Sequence, residues 1–289
     1  MKKSFVLATT VAAFISCSEY VNVENIPADE LLPINISTVL TRATDLEFES
    51  TDKVGIFIVN EPGALLLSGN HADNLGFTYE GAKWTPDTPV YWLNKTTKAD
   101  FYCYYPYSEV TSTSAHSFST KADQSTVSNY KASEFLWGKT TDVAPTEAPV
   151  GIIVNHIFSN ALVILKPGDG YTDESLAAAT KSVKICGVRT SATISLSNGV
   201  ANAYGNVTNV TPYFENGQYR ALIVPQTTDE GTLIVVTVND IEYALKRPMT
   251  FKANKQHKFT LTLNKVNNGV NVGIGSWEID EEDYGGQVE

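Results

Sequence analysis

Side chains able to do chemistry are sparse in this chain, and their spacing does not favour catalysis. The four histidines, His71, His116, His156 and His257, are widely separated. None has a second histidine or a cysteine at metal-ligand spacing. There is no Gly-x-Ser-x-Gly turn, no phosphate-binding glycine loop and no dinucleotide fingerprint. Gly273-Ile274-Gly275 is the nearest match and lacks a following helix. His156 lies between two apolar runs and reads as structural, and the acidic run 280–283 reads as a solvated tail. The expectation is a protein that is not an enzyme, with no catalytic residues, no metal site and no cofactor. Trp84, Tyr91, Trp92, Tyr102, Tyr104 and Tyr105 cluster in the first half, where they could form a sugar-binding platform. Alternating aromatics of this kind fit core and cross-strand pairs better.

The strongest chemical signal is Cys17. Lys2 and Lys3 precede an apolar run over residues 5–15, interrupted only by Thr9 and Thr10, and Phe14-Ile15-Ser16-Cys17 follows. A charged start, an apolar stretch and a small residue before the cut describe a secretory signal. The run is too short to span a bilayer, which takes ~20 residues as a helix. The cysteine after the cut makes the segment resemble a bacterial lipobox, with Phe14 where leucine is usual. In such signals the cysteine is acylated and becomes the new N-terminus, so Cys17 is the expected lipid attachment site. Cys103 and Cys186 remain. Both read as small buried hydrophobes on strands, and a disulfide between them is not expected.

The elements that would position such chemistry are strands. The chain has 289 residues, net charge −11, 43% hydrophobic and only 18% charged residues, a balance that suits β-sandwiches with uncharged polar faces. No basic face for nucleic acid is visible. Residues 31–41 alternate, placing Ile34, Ile36 and Thr38 on one side of a strand. Residues 54–59 form an apolar strand, and short strand candidates recur to residue 105. Residues 108–133 read as a Ser/Thr-rich exposed excursion with a weak strand near Phe118. Residues 145–149 read as a linker. Thr172 caps the single expected helix, over 172–179. Residues 232–238 and 241–246 flank Asn239-Asp240 as a hairpin, and 256–263 alternates cleanly. After Asn264 an additional strand-like segment places Val270, Val272, Ile274, Trp277 and Ile279 on one side. The fold class expected is all-β, as sandwiches.

The order of several short motifs resembles the fimbrillins of Bacteroides type, also called type V pilins. The landmarks are the lipobox, the strand ending in Leu40-Thr41-Arg42-Ala43, and Asp52-Lys53-Val54-Gly55-Ile56-Phe57. Later ones are the run from His156 to Val163, Val224-Pro225-Gln226-Thr227, and the run from Phe251 to Leu263. Asn254 stands in the last run where glycine is usual, and asparagine tolerates the left-handed backbone for which glycine serves there. The resemblance spans essentially the whole chain.

It implies two tandem transthyretin-like (Greek-key) β-sandwiches with a C-terminal appended strand. The divisions are a signal peptide at 1–17, a tether and first strand at 18–42, sandwiches at 43–150 and 151–265, and a donor extension with acidic tail at 266–289. It implies a structural subunit of surface fimbriae that supports adhesion. The precursor is lipid-anchored in the outer membrane, and an Arg-specific, trypsin-like surface protease cuts between Arg42 and Ala43. The displaced strand carries Ile34, Ile36 and Thr38, and the donor strand of the next subunit carries Val270, Val272, Ile274, Trp277 and Ile279. Implied partners are other fimbrial subunits in a head-to-tail polymer, the protease and a host receptor or glycan; nucleic acid is not among them. Losing a strand exposes an edge that invites a replacement, and a head-to-tail joint of this kind builds filaments. The competing reading is a surface lipoprotein that binds glycan or host protein and never polymerises.

Overall fold

A computed structural model describes residues 31–40, 48–266 and 269–274. The first half contains β1 (Ile36–Leu40), β2 (Lys53–Asn60), β3 (Ala72–Tyr79), β4 (Trp84–Pro86), β5 (Ala99–Tyr105), β6 (His116–Ser119), helix α1 (Val127–Lys131), β7 (Leu136–Val143) and β8 (Val150–His156). Then follow β9 (Ser159–Pro167), helix α2 (Asp173–Ala178), β10 (Lys181–Ile194), β11 (Ala201–Val210), β12 (Tyr213–Glu215), β13 (Gln218–Ile223) and β14 (Gln226–Thr227). The last strands are β15 (Thr232–Val238), β16 (Ile241–Lys246), β17 (Thr250–Phe251), β18 (Gln256–Val266) and β19 (Gly269–Ile274). The molecule is all-β, as its composition and turn spacing predict.

The first half is organised on a seven-stranded sheet in the order β1-β8-β7-β5-β2-β3-β4. Its central strands are buried on both faces, which explains why residues 54–59 read as an unbroken apolar run rather than an alternating one. Val54, Ile56 and Ile58 point into one core, with Phe77, Phe101, Cys103, Leu136 and the row Val150, Ile152 and Val154. Phe57 and Val59 of the same strand point into another, with Tyr102 and Tyr104.

The second half is a sandwich. One sheet runs β11-β10-β15-β16, the other β12-β13-β9-β18-β19. Val183 and Ile185 of β10 and Ile234 and Val236 of β15 share a core with Ala161 and Val163 of β9 and Phe259, Leu261 and Leu263 of β18. The hairpin β15–β16 turns on Asn239 (φ 46°) and Asp240 (φ 68°), the paired left-handed conformations that a tight two-residue turn requires and that these residue types tolerate. Asn254 also takes a left-handed φ of 53°, as its substitution for glycine demands. Helix α2 is capped by Thr172, whose side chain accepts from the Ser175 amide, and begins one residue after the expected start.

Long-range pairing departs from the sequence reading in three places. The strand Val150–His156, expected to open the second sandwich, pairs with β7 and β1 in the first sheet. Residues 145–149 therefore connect two neighbouring strands of one sheet rather than linking separate bodies. The excursion 108–133 is not a solvent loop. Its strand β6 pairs with β10, placing Phe118 opposite Ala192, and it contains the short helix α1.

That exchange joins the halves. Phe57, Tyr104 and Phe135 from the first half pack with Ala192, Ile194, Leu196 and Val224 from the second in one continuous core. Tyr104 and Phe135 stack at 5.9 Å, and Phe118 meets Phe135 edge-on at 5.1 Å. Gln124 is fully buried and ties the excursion to β13. Its Oε1 accepts from the Leu222 amide at 2.8 Å, and its Nε2 donates to the Leu222 carbonyl at 2.9 Å. Gln124→Ala leaves both backbone groups of Leu222 unpaired and opens a void. Equilibrium denaturation should show a loss of about 2–4 kcal/mol.

Candidate functional site

The candidate site is the edge of the seven-stranded sheet where the first strand lies. Strand β1 pairs in parallel with β8 in the register Ile36↔Val150, Thr38↔Ile152 and Leu40↔Val154. The alternation of residues 31–41 dictates which face is inward. Ile34 and Ile36 are 3% and 5% exposed and join the core beneath, and Thr38 follows in the same row. Burial of the two isoleucines contributes about 3–6 kcal/mol.

The strand is gripped on a second side that sequence patterning did not reveal. The Ile34 amide donates to the Val90 carbonyl, the Trp92 amide donates to the Leu32 carbonyl, each at 2.9 Å, and Pro33 bridges Tyr91. Residues 90–92 follow β4, the strand at the far end of the sheet order. The first strand and the residues just before it are thus held by β8 and by the 90–92 segment. Trp92 lies beneath it at 3% exposure, packed edge-on to Phe101 at 5.7 Å. No local periodicity around residue 90 could have signalled this pairing, because it depends on a partner more than fifty positions upstream.

Strand β8 would form the exposed lip if β1 left, so its remaining supports matter. It pairs with β7 at Leu136↔His156 and Trp137↔Asn155. The Thr140 hydroxyl adds a bond to the Gly151 carbonyl at 2.8 Å. At its end His156 Nδ1 lies 3.0 Å from Glu134 Oε1, with both side chains buried. Burial alone would depress the His156 pKa. The hydrogen bond and charge of Glu134 outweigh it and hold the pKa above the ordinary histidine value. His156 is structural, as read, but Glu134 was missed; a lone acid ahead of Phe135-Leu136 was the available signal.

After residues 41–47 the chain is held again at Phe48. Its ring packs edge-on to Trp84 at 4.9 Å and to Tyr105 at 5.6 Å. The neighbouring Glu49 forms an ion pair with Lys131. The body of the sheet therefore has an anchor of its own downstream of the strand.

The other end of the chain behaves differently from a free appendage. Strand β19 folds back as a hairpin on β18, registering Val272 opposite Leu263 and Ile274 opposite Leu261. It occupies the sheet's outer position, bonded to β18. Val270, Val272 and Ile274 fall at alternate positions within it. Cys17, Arg42, Ala43, Trp277 and Ile279 lie outside the described residues. Cys103 is buried and Cys186 half-buried, and both thiols are free. Trp84, Trp92, Tyr102 and Tyr104 are buried rather than displayed, while Tyr91 is exposed.

The site is a peripheral strand covering an apolar sheet edge, and among the described residues no group of acidic, histidine or cysteine side chains is placed to hold a metal. Comparison with known proteins carries this further. The chain belongs to the fimbrillin-like family, whose model matches residues 41–277. Membership supports a fimbrial or adhesive role at the cell surface. Among solved structures, the fold is similar to that of a candidate cell adhesion protein from Bacteroides ovatus, with TM-score 0.67 and 17% identity over 87% of this chain and 99% of that one. A candidate cell adhesion protein from Bacteroides uniformis gives 0.64 and 18% over 86% and 97%. A fimbrial protein from Bacteroides ovatus gives 0.55 and 20% over 80% of this chain and 48% of that one. No curated protein compared with the chain matches it.

The Glu134–His156 pair makes a pH prediction. A histidine whose folded pKa is raised stabilises fully below its unfolded value, roughly 6.5, and the benefit disappears as pH rises through the folded value. His116 and His257 are pushed the other way, chiefly by burial, so the informative quantity is a difference between variants. The stability lost on His156→Gln should be larger at pH 5.5 than at pH 8.5 in denaturant titrations. An equal loss at both would remove the charged pair from the account.

Proposed function

We propose that this protein is a fimbrial structural subunit assembled by strand replacement at the β1 edge. The precursor is tethered to the outer membrane through lipid on Cys17. An Arg-specific, trypsin-like protease cuts between Arg42 and Ala43, and the first strand departs with the tether. The C-terminal strand of the next subunit, carrying Val270, Val272, Ile274, Trp277 and Ile279, then fills the groove. The observation that supports this reading most is the position of β1. It is a peripheral strand whose inward row includes Ile34 and Ile36, and it ends just before Arg42. Its loss would expose both an unpaired backbone edge on β8 and an apolar trough, and a strand with aliphatic residues at alternate positions satisfies both. Arginine suits such a protease because its fixed charge can fill an acidic pocket.

The donor must first leave β18. Its outer position makes this feasible, since only one ladder is broken. A glycan- or host-protein-binding surface lipoprotein that never polymerises is the weaker reading. Four of the six aromatic residues that suggested a sugar platform are spent in the core.

Arg42→Ala should leave the precursor lipid-anchored and monomeric, and deletion of residues 266–289 should abolish filaments while leaving the body folded. Electron microscopy of cells and gel analysis of surface fractions read both. Normal fibres from the deletion would refute strand donation by this segment, and Ala43 at the N-terminus of the wild-type surface protein would support the cut.

A further inference from the structure

Thr38 is anomalous within the first strand. It stands in the inward row, opposite Ile152, which has no solvent exposure, and between the pairs Ile36↔Val150 and Leu40↔Val154. Its Oγ1 is buried and has no hydrogen-bond partner among the described residues. A hydroxyl taken from water without a partner destabilises the structure that contains it. Threonine is not required there for strand propensity, because valine has the same shape, is as good a strand former and lacks the hydroxyl.

The C-terminal strand lacks this defect. Its alternate positions, Val270, Val272 and Ile274, are all aliphatic. Whichever of the three met Ile152, no hydroxyl would be buried against it. We propose that Thr38 sets the direction of exchange: it is a built-in misfit that weakens the leaving strand relative to the incoming one. The inference rests on the strand-replacement reading above. Before cleavage β1 is joined to the sheet by residues 41–47, and the high effective concentration of a tethered segment lets it hold its place despite the misfit. Once the chain is cut after Arg42 that advantage ends, and the buried hydroxyl then counts against rebinding. The pocket opposite Ile152 accordingly selects an aliphatic side chain in the occupant.

Thr38→Val tests this, because it removes the hydroxyl and keeps the shape. In the uncleaved chain the denaturation midpoint should rise. After limited trypsin cleavage at Arg42, release of the first-strand peptide into excess synthetic peptide 266–279, followed by mass spectrometry, should slow by about tenfold. Thr38→Ser keeps the hydroxyl and loses the methyl, so it should release faster than wild type. A Thr38→Val chain with wild-type stability and wild-type release overturns the inference and leaves strand replacement standing. A cleaved wild-type chain that retains its strand against excess peptide overturns strand replacement and, with it, the role of Thr38.

Discussion

The constraint on which this structure turns is that a β-sheet cannot leave an edge bare while the side chains beneath it are apolar. Strand β8 carries Val150, Ile152 and Val154 inward, each almost completely buried, and among the described residues its outer backbone is covered by β1 alone. Backbone pairing and burial are therefore supplied by the same nine or so residues. Residues 32–34 extend the contact to the 90–92 segment, so one stretch of chain ties β8 to that segment. Any occupant of this position must offer an unpaired ladder and inward aliphatic groups together. That joint requirement makes the position specific without any catalytic or charged residue.

The remainder of the molecule is built to stay intact around that edge. The core shared by Phe57, Tyr104, Phe135, Ile194 and Leu196 couples the seven-stranded sheet to strand β10. Gln124 and the β6–β10 ladder reinforce it with directional bonds. Phe48 and Glu49 fix the chain just downstream of residues 41–47, and Glu134 and His156 hold the end of β8. Supports are thus concentrated on the elements flanking β1 and do not run through it. Strand β10 spans two cores: Ala192 and Ile194 pack with the first half, and Val183 and Ile185 lie in the core of the second.

Local patterning made much of this legible, and its failures have one cause. The β15–β16 hairpin was readable because Asn239-Asp240 states its turn chemistry locally. Helix α2 was readable because Thr172 caps it, and the inward row of β1 because alternation has a period of two. Val150–His156 alternates just as clearly in burial, yet the division at residue 151 put it in the second sandwich rather than in the first sheet. Periodicity gives the face of a strand and never its partner. The excursion 108–133 showed the weak strand near Phe118 that became β6 but hid its partner, and hid α1, for the same reason: Phe118 matters only because Ala192, Phe135 and Phe158 meet it in space. The second grip on the first strand at residues 90–92 and the Glu134 partner of His156 are likewise products of tertiary pairing.

Strand β1 combines three weaknesses. Among the described residues of its sheet, its ladder with β8 is the one parallel pairing; every other neighbouring pair is antiparallel. Parallel ladders are slightly less stable per residue. The strand lies at the edge of the sheet order, so it gains one ladder along Ile36–Leu40 where an interior strand gains two. It also buries a hydroxyl at Thr38 that has no partner among the described residues. A strand selected only for the stability of the finished sheet would correct at least the last of these with a single change to valine. Under the strand-replacement proposal, their coincidence on the one strand that immediately precedes Arg42 is what selection for removability would leave. The strong inward anchors Ile34 and Ile36 are compatible with that proposal, in which the strand folds the sheet before it leaves.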